Sequence, residues 1–505
     1  MKWLLAAGAG VLWALQFGRE PHAVAPWLAL APLLLLLSST RASGRLAFVF
    51  GFTSWLTGLS WIVPTLVTYG GISEPLAWPL TGLLAAYLAG FDAAFGWLGG
   101  KVWRKWGTAA RLVVLPSLWV ALEWLRTYLF GGFPWNLAAY SWVEVAGALP
   151  LSAWIGPYGI SFLVVLASAG VATAVERRRW EPLAAAWALP LLLLPMAGRW
   201  SLREGIEEHQ RPGGGGFLEE GLPVRLIQPN IANLTEYDAV AVLRNYRKMM
   251  DASVEACQPG ALVIWPESAA WPFSFARDPM LRADLNALVG KGCTVLFNSS
   301  HPVQESFYNS AYLISPQGSV HRYDKRHLVP FGEYIPFKGL FSWMDKLARN
   351  AGDFRAAAGL TLLPWEREKL GMAICYEVVY PEEVAELARR GATVLVTITN
   401  DAWYGDTWAP WQHFRAARFR AAENRRPLLR AAITGVSAVV GPDGAVWSQL
   451  GVFREGVIRA RVLGRHGLTP YARHPSVVPL LASIVSALSA AALVALYFAR
   501  KEKRP

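Results

Sequence analysis

Three residues have the types and settings that acyl transfer through a thioester requires. Cys375 closes the apolar run Gly371-Met372-Ala373-Ile374, Glu267 closes Val263-Ile264-Trp265-Pro266, and Lys325 stands in Tyr323-Asp324-Lys325-Arg326-His327. A thiol attacks only as its thiolate, so it needs a base, which a carboxylate on an adjacent strand can supply. A nearby ammonium would stabilise both the thiolate and the oxyanion of a tetrahedral intermediate. Taken singly, each residue also has a plain reading. A cysteine on an apolar strand packs a core, Glu267 caps a helix, and Lys325 is a solvated loop charge. Spacing alone does not choose between these readings.

The elements that would carry these residues lie in one soluble stretch. After Pro212 and the run Gly213–Gly216, which reads as a flexible linker within 200–222, short β-rich runs alternate with helical ones. Strands are expected at 224–231, 261–265, 294–298, 311–315, 371–375, 393–397 and 428–434. Helices are expected at about 237–256, 279–290, 381–390 and 411–425. Ser315-Pro316-Gln317-Gly318 and Gly441-Pro442-Asp443-Gly444 are hairpin turns. The alternation argues a layered α/β domain over 223–472.

The rest of the chain reads as membrane. Of 505 residues 54% are hydrophobic and only 17% charged, with 25 Trp, which excludes disorder. Three Cys exclude a disulfide scaffold. Eight segments are long and apolar enough to span a bilayer: 3–18, 23–40, 46–69, 76–98, 112–130, 150–175 and 182–198, which make a seven-helix unit over 1–199, and an eighth within 475–499. With the N-terminus inside, the inside loops hold Lys2, Arg41, Arg45, Lys101, Arg104, Lys105, Arg111, Arg177, Arg178, Arg179, Arg500, Lys501, Lys503 and Arg504, while the short outside loops hold Arg19 and little else. This positive-inside asymmetry accounts for the net charge of +12 without nucleic acid. It puts both termini in the cytoplasm and the soluble domain on the outer face of the cytoplasmic membrane, the periplasm of a Gram-negative cell. The first segment also reads as a cleaved signal peptide; a retained helix is the expectation.

Longer words surround the three residues. Trp265-Pro266-Glu267, Asp324 through Tyr334 and Cys375-Tyr376-Glu377 resemble the nitrilase superfamily of carbon–nitrogen hydrolases. With eight apolar helices attached, the chain is similar to the membrane-embedded apolipoprotein N-acyltransferases. Gly132-Phe133-Pro134-Trp135, Phe307-Tyr308-Asn309-Ser310, Thr399-Asn400-Asp401-Ala402-Trp403, Trp411-Gln412-His413-Phe414 and Arg426-Pro427-Leu428-Leu429-Arg430 match as well. The resemblance covers nearly the whole chain in order. It implies a multi-pass α-helical membrane domain plus an α-β-β-α sandwich, with Glu267 as general base, Lys325 as oxyanion stabiliser and Cys375 as nucleophile. Glu333 matches a second glutamate that positions the triad, and Tyr376 and Glu377 would shape the pocket. Where the family usually reads Lys-Trp, this chain has Glu236-Tyr237, so any contact through the indole or the lysine charge is in question. The implied reaction is ping-pong. A phospholipid acylates Cys375, and the α-amine of the diacylglyceryl-Cys of an apolipoprotein then takes the acyl group. No metal or other cofactor is expected, and the chain is expected to act as a monomer.

Further features complete the reading. Trp271, Phe273 and Phe275 after Glu267, and Phe337, Leu340, Phe341, Trp343, Met344 and Leu347 after Glu333, are apolar loops expected to act as lids over acyl chains or to pack on membrane helices. Tyr237, Trp271, Phe341, Trp343 and Trp403 are the expected substrate contacts. Glu123 and Arg126, three apart in a membrane segment, are read as an ion pair on one helix face, with a lipid-headgroup role as the alternative. Asp92 is read as a packing residue of its helix. His301, His327 and His413 offer a competing Cys–His dyad. Two rivals stand beside acyl transfer: a membrane-tethered amidase with the same triad, and a transporter with a ligand-binding domain, which would need interrupted helices and polar pathways.

Overall fold

The computed structural model describes residues 1–20, 30–203, 221–233, 238–334 and 353–502. It divides into two compact units. One comprises 1–63, 75–200 and 474–505; the other comprises 64–74 and 201–473.

The first unit is helical: α1 (Lys2–Leu15), α2 (Ala31–Ser38), α3 (Ser43–Gly58), α5 (Glu74–Lys105), α6 (Thr108–Arg126), α7 (Ala148–Arg177), α8 (Glu181–Arg203) and, after the soluble stretch, α13 (Val477–Glu502). Five of these are long and apolar enough to cross a membrane singly: α5, α6, α7, α8 and α13. The apolar stretch 46–69 is not one helix. It breaks at Leu59-Ser60-Trp61 into α3 and α4 (Ile62–Thr68), and Pro64 sits in the first turn of α4, where a proline costs no hydrogen bond. Of the expected segment 23–40, residues 23–29 lie outside the described residues. Small residues let the helices approach closely. A Cβ on Gly10 of α1 would stand 2.2 Å from the Phe50 carbonyl oxygen of α3, and one on Gly96 of α5 would stand 2.3 Å from the Ala47 Cβ.

Two six-stranded sheets build the second unit, in the orders β12-β1-β2-β3-β4-β5 and β11-β10-β9-β8-β7-β6. The strands are β1 (Leu222–Gln228), β2 (Leu262–Ile264), β3 (Thr294–Val303), β4 (Ser306–Ile314), β5 (Val320–Asp324), β6 (Leu363–Trp365), β7 (Glu368–Ile374), β8 (Val394–Thr399), β9 (Leu428–Ala432), β10 (Ser437–Val440), β11 (Val446–Leu450) and β12 (Gly456–Val462). Val224, Leu226, Leu262, Ile264, Leu296 and Leu313 of one sheet meet Leu370, Met372, Ile374, Val396, Ile398 and Leu429 of the other in one buried core.

Helices cover both outer faces. α9 (Ala239–Ala256) is capped by Asp238, whose carboxylate accepts from the Val240 and Ala241 amides. Tyr246 and Met249 of α9, and Leu281 and Leu285 of α10 (Pro279–Val289), pack on Ile227, Val263 and Val295. α11 (Pro381–Arg389) lies on β7, where Gly371 leaves room for the Leu387 side chain. α12 (Ala409–Asn424) is buried along most of its length. The result is the α-β-β-α sandwich.

Strands β5, β6, β10, β11 and β12 were not among the expected set. They are short or half-exposed, so they lack the continuous apolar run of the central strands. The turns at 315–318 and 441–444 join β4 to β5 and β10 to β11. Cys257 at the end of α9 and Cys293 before β3 form a disulfide, which leaves Cys375 as the free thiol.

Candidate active site

Strand direction gathers the chemistry at one edge. β1, β2 and β3 are mutually parallel, and β5 follows two antiparallel steps, so β2 and β5 point the same way. In the other sheet β7, β8 and β9 are parallel. Glu267 lies just beyond β2, Lys325 just beyond β5, Cys375 just beyond β7 and Asn400 just beyond β8. The Asn400 amide donates to Glu267 Oε2 at 3.0 Å, which ties the two sheets together at this edge.

Glu267, Lys325, Glu333 and Cys375 are all buried. Lys325 Nζ is 2.9 Å from both Glu333 oxygens and 3.6 Å from Glu267 Oε1. Asn309 Nδ2 donates to Glu267 Oε1 at 2.9 Å and to Glu333 Oε1 at 2.7 Å, and the Val329 amide donates to Glu333 Oε2 at 2.8 Å. Burial opposes the charge on Lys325, but Glu333, Glu267 and Cys375 outweigh it and push the ammonium above its ordinary range. Burial, and then the Glu267 carboxylate, push the Cys375 thiol up, against the pull of Lys325. Both influences favour the neutral thiol over the thiolate.

Cys375 has φ 52°, a left-handed conformation that costs a non-glycine residue roughly 1 kcal/mol or more. It leaves β7 in a sharp turn that Glu377 holds. Glu377 Oε2 accepts from the Ile374 amide at 2.7 Å, and Oε1 accepts from the Arg326 and His327 amides at 2.7 and 3.1 Å. Tyr323 donates its hydroxyl to the same carboxylate at 2.9 Å. Glu377 thus fastens the Cys375 turn to the loop that carries Lys325. Tyr376 is buried beside it, 5.4 Å from the Tyr380 ring centroid.

The three histidines of the dyad reading have partners of their own. His413 Nε2 bonds the Cys375 backbone carbonyl at 3.0 Å, His327 Nδ1 meets Glu383 at 3.0 Å, and His301 Nδ1 meets the Tyr312 hydroxyl at 2.7 Å. In the loop after Glu267, Phe273 packs at a tilt against Tyr246, and Phe275 sits against Phe297 and Tyr312 in the core, while Trp271 is 54% exposed. Trp403, 40% exposed, packs edge-on at 4.6 Å against Tyr69, and Thr65 donates to its carbonyl at 2.8 Å. Tyr237, Phe341 and Trp343 lie outside the described residues, as do Glu236, Phe337, Leu340, Met344 and Leu347. Among the described residues no group of three or more His, Cys, Asp or Glu could hold a metal ion.

In the helical unit, Arg126 holds the Gly132–Trp135 word and Glu123 holds Ala138, three residues beyond it. Arg126 Nη1 donates to the Trp135 carbonyl at 3.0 Å, and its guanidinium lies 4.6 Å from the Trp55 ring centroid. Glu123 Oε1 accepts from the Ala138 amide at 2.7 Å. Asp92 accepts from the Trp55 indole at 3.0 Å.

Sequence reasoning assigned no role to Asn298, Asn309, Asn400 or Arg430, and gave His413 only the dyad reading. All but Asn298 stood in words already singled out. Asn298 carried one signal, an amide that closes the apolar run Val295-Leu296-Phe297.

Residues 9–170 match the family model of the apolipoprotein N-acyltransferase N-terminal domain, and residues 224–469 match that of carbon-nitrogen hydrolases. An apolipoprotein N-acyltransferase of Geobacter metallireducens is 33% identical over 99% of this chain and 96% of its own length. One of Ralstonia nicotianae is 34% identical over 97% of this chain and 92% of its own. Among solved structures, an amidase of the nitrilase superfamily from Nesterenkonia is 24% identical, with TM-score 0.38, over 48% of this chain and 90% of that chain. Full-length similarity joined to both family models makes this chain an acyltransferase, a member of the apolipoprotein N-acyltransferase family.

Proposed function

We propose that the chain moves a fatty acyl group from a membrane phospholipid to the N-terminal amine of a diacylglyceryl-Cys apolipoprotein, by a ping-pong route through a Cys375 thioester. The observation that carries the reading is the convergence of Glu267, Lys325 and Cys375 in one buried, hydrogen-bonded cluster beyond the strand ends. Glu267 takes the thiol proton as the sulfur attacks the ester carbonyl. Lys325 faces the oxyanion. The ester C–O bond breaks, Glu267 returns the proton, and a lysophospholipid leaves. The acceptor amine then attacks the thioester, its proton passes to Glu267, and the thiolate leaves and is reprotonated. Both substrates stay in the bilayer, which gives the apolar helices a purpose beyond anchoring. Trp271, Trp403, Tyr237, Phe341 and Trp343 would contact them.

The enzyme works as a monomer with a membrane unit over 1–199 and 475–499, a linker over 200–222 and a catalytic domain over 223–472. The catalytic domain faces the periplasm and both termini the cytoplasm. Loop charge supports this topology, and so does the Cys257–Cys293 disulfide, a bond that persists in oxidising compartments.

Intact-protein mass spectrometry after incubation with phospholipid alone tests the first half-reaction. The expected result is an acyl-sized gain in mass, cleaved by neutral hydroxylamine and replaced by a resistant ester or nothing in Cys375→Ser. No adduct on folded protein with a reactive Cys375 would sink the phospholipid donor and favour an amidase.

A further inference from the structure

Behind the sulfur lies a second polar cluster that the triad does not use. Thr399 Oγ1 is 3.3 Å from Cys375 Sγ and 2.8 Å from Asp401 Oδ1. Asp401 Oδ2 accepts from Arg430 Nη2 at 2.8 Å, and Arg430 Nε donates to the Val436 carbonyl at 3.0 Å. The Cys375 carbonyl can only accept, so His413 carries a proton on Nε2, while its Nδ1 lies 3.1 Å from Arg430 Nη2 and 3.2 Å from Asp401 Oδ1. Thr399, Asp401, His413 and Arg430 are all fully or almost fully buried.

The hydroxyl of Thr399 has one proton and two acceptors. Against a neutral sulfur the carboxylate wins, because a bond to an ionised oxygen is shorter and stronger. Against a thiolate the balance changes. The sulfur becomes anionic twice in the proposed cycle: when Glu267 takes its proton, and when the amine expels it from the thioester.

We propose that Thr399 is a switching hydrogen-bond donor to the Cys375 sulfur: Asp401 holds its proton while the sulfur is a thiol or thioester, and the proton turns to the sulfur whenever a thiolate forms. Asp401, Arg430 and His413 are positioning residues. They set the threonine rotor and the carbonyl of the strained Cys375. A bond made only to the charged sulfur lowers both barriers without stabilising the resting thiol. The proposal rests on Cys375 being the acyl carrier.

Alkylation of Cys375 by iodoacetamide, followed by intact mass across pH, tests it, since the other two cysteines are joined. The charged groups facing the sulfur are Glu267, Lys325 and Asp401, with Tyr404 and His413 beside them. Thr399→Val should slow alkylation about 10-fold and move its pH profile upward by about one unit, while Thr399→Ser keeps the wild-type profile. Asp401→Asn should move the profile the opposite way, because it frees the hydroxyl and removes a negative charge. If Thr399→Val does not fold, Thr399→Ala against Thr399→Ser gives the same comparison. A wild-type profile without the hydroxyl, or shifts of one sign in both positions, would overturn the switch. Alkylation reads the thiol whether or not lipid reaches it. Loss of thioester formation alone would therefore count against the phospholipid reading and leave this one standing.

Discussion

Asn309 spends both hydrogens of its amide on two catalytic-edge carboxylates, Glu267 at 2.9 Å and Glu333 at 2.7 Å. Its own oxygen accepts from Asn298 Nδ2 at 2.6 Å, so the amide cannot turn away without losing all three bonds. One side chain from the middle of β4 therefore fixes the spacing of Glu267 and Glu333 around Lys325. Asn309→Asp puts a third carboxylate there and removes both donors. Acyl-transfer rate should fall at least roughly 100-fold in folded protein, the scale of losing a positioned base. A rate within a few-fold of wild type would show that Lys325 alone positions Glu267.

Glu333 should govern the alkaline limit of activity. It is the nearest carboxylate to Lys325, at 2.9 Å, and heads the charges that raise the ammonium against the cost of burial. Glu333→Gln removes that charge, so the lysine should lose its proton at lower pH. The alkaline limb of kcat/KM should move downward. The sign for stability follows: with a folded pKa above the unfolded one, the contribution of Lys325 is complete at neutral pH and is lost only as pH rises through the folded value. Melting near pH 7 should thus report the lost ion pair, and the activity profile the shifted proton. An alkaline limb that stays in place would exclude the Lys325 ammonium as its source.

Reduction of the Cys257–Cys293 bond should weaken the fold and leave the thiol chemistry alone. The bond closes a loop of 36 residues, which corresponds to about 3–4 kcal/mol of unfolded-state entropy. Cys257→Ser with Cys293→Ser should lower the melting temperature of the catalytic unit, while alkylation of Cys375 keeps its rate. A changed alkylation rate would mean that the bond also shapes the site.

Glu123 should matter through one backbone amide. Its carboxylate takes the Ala138 N–H at 2.7 Å, in a segment whose neighbours are buried. Glu123→Ala strands that donor at a cost of about 1–3 kcal/mol. Glu123→Gln keeps an acceptor and should recover most of the loss in a thermal melt in detergent. Equal loss in both variants would point to the negative charge itself, and so to Arg126.

The chain order of chemistry was legible in the sequence because it is written in local words. Trp-Pro-Glu, Cys-Tyr-Glu and the run from Asp324 to Tyr334 name the residues, and long uncharged apolar runs name the membrane helices, since a bilayer imposes length directly on sequence. Central strands such as β7 and β8 were legible for a related reason: from Leu370 to Ile374 and from Val394 to Thr399 they are buried on both faces and carry no charge. Edge strands β11 and β12 were not, because a half-exposed strand needs no such run.

Only the tertiary structure decided which polar residue meets which. Asn309 and Glu333 are 24 positions apart, Thr399 and Cys375 also 24, and Asn400 and Glu267 133. Strand direction in two facing sheets brings them to one edge, and no local pattern encodes that meeting. The same holds for Glu123 and Arg126, three apart on one helix, whose hydrogen bonds also reach forward to Trp135 and Ala138. Burial leaves each of these groups one way to satisfy its hydrogen bonds, and the partner it finds is set by how the layers stack.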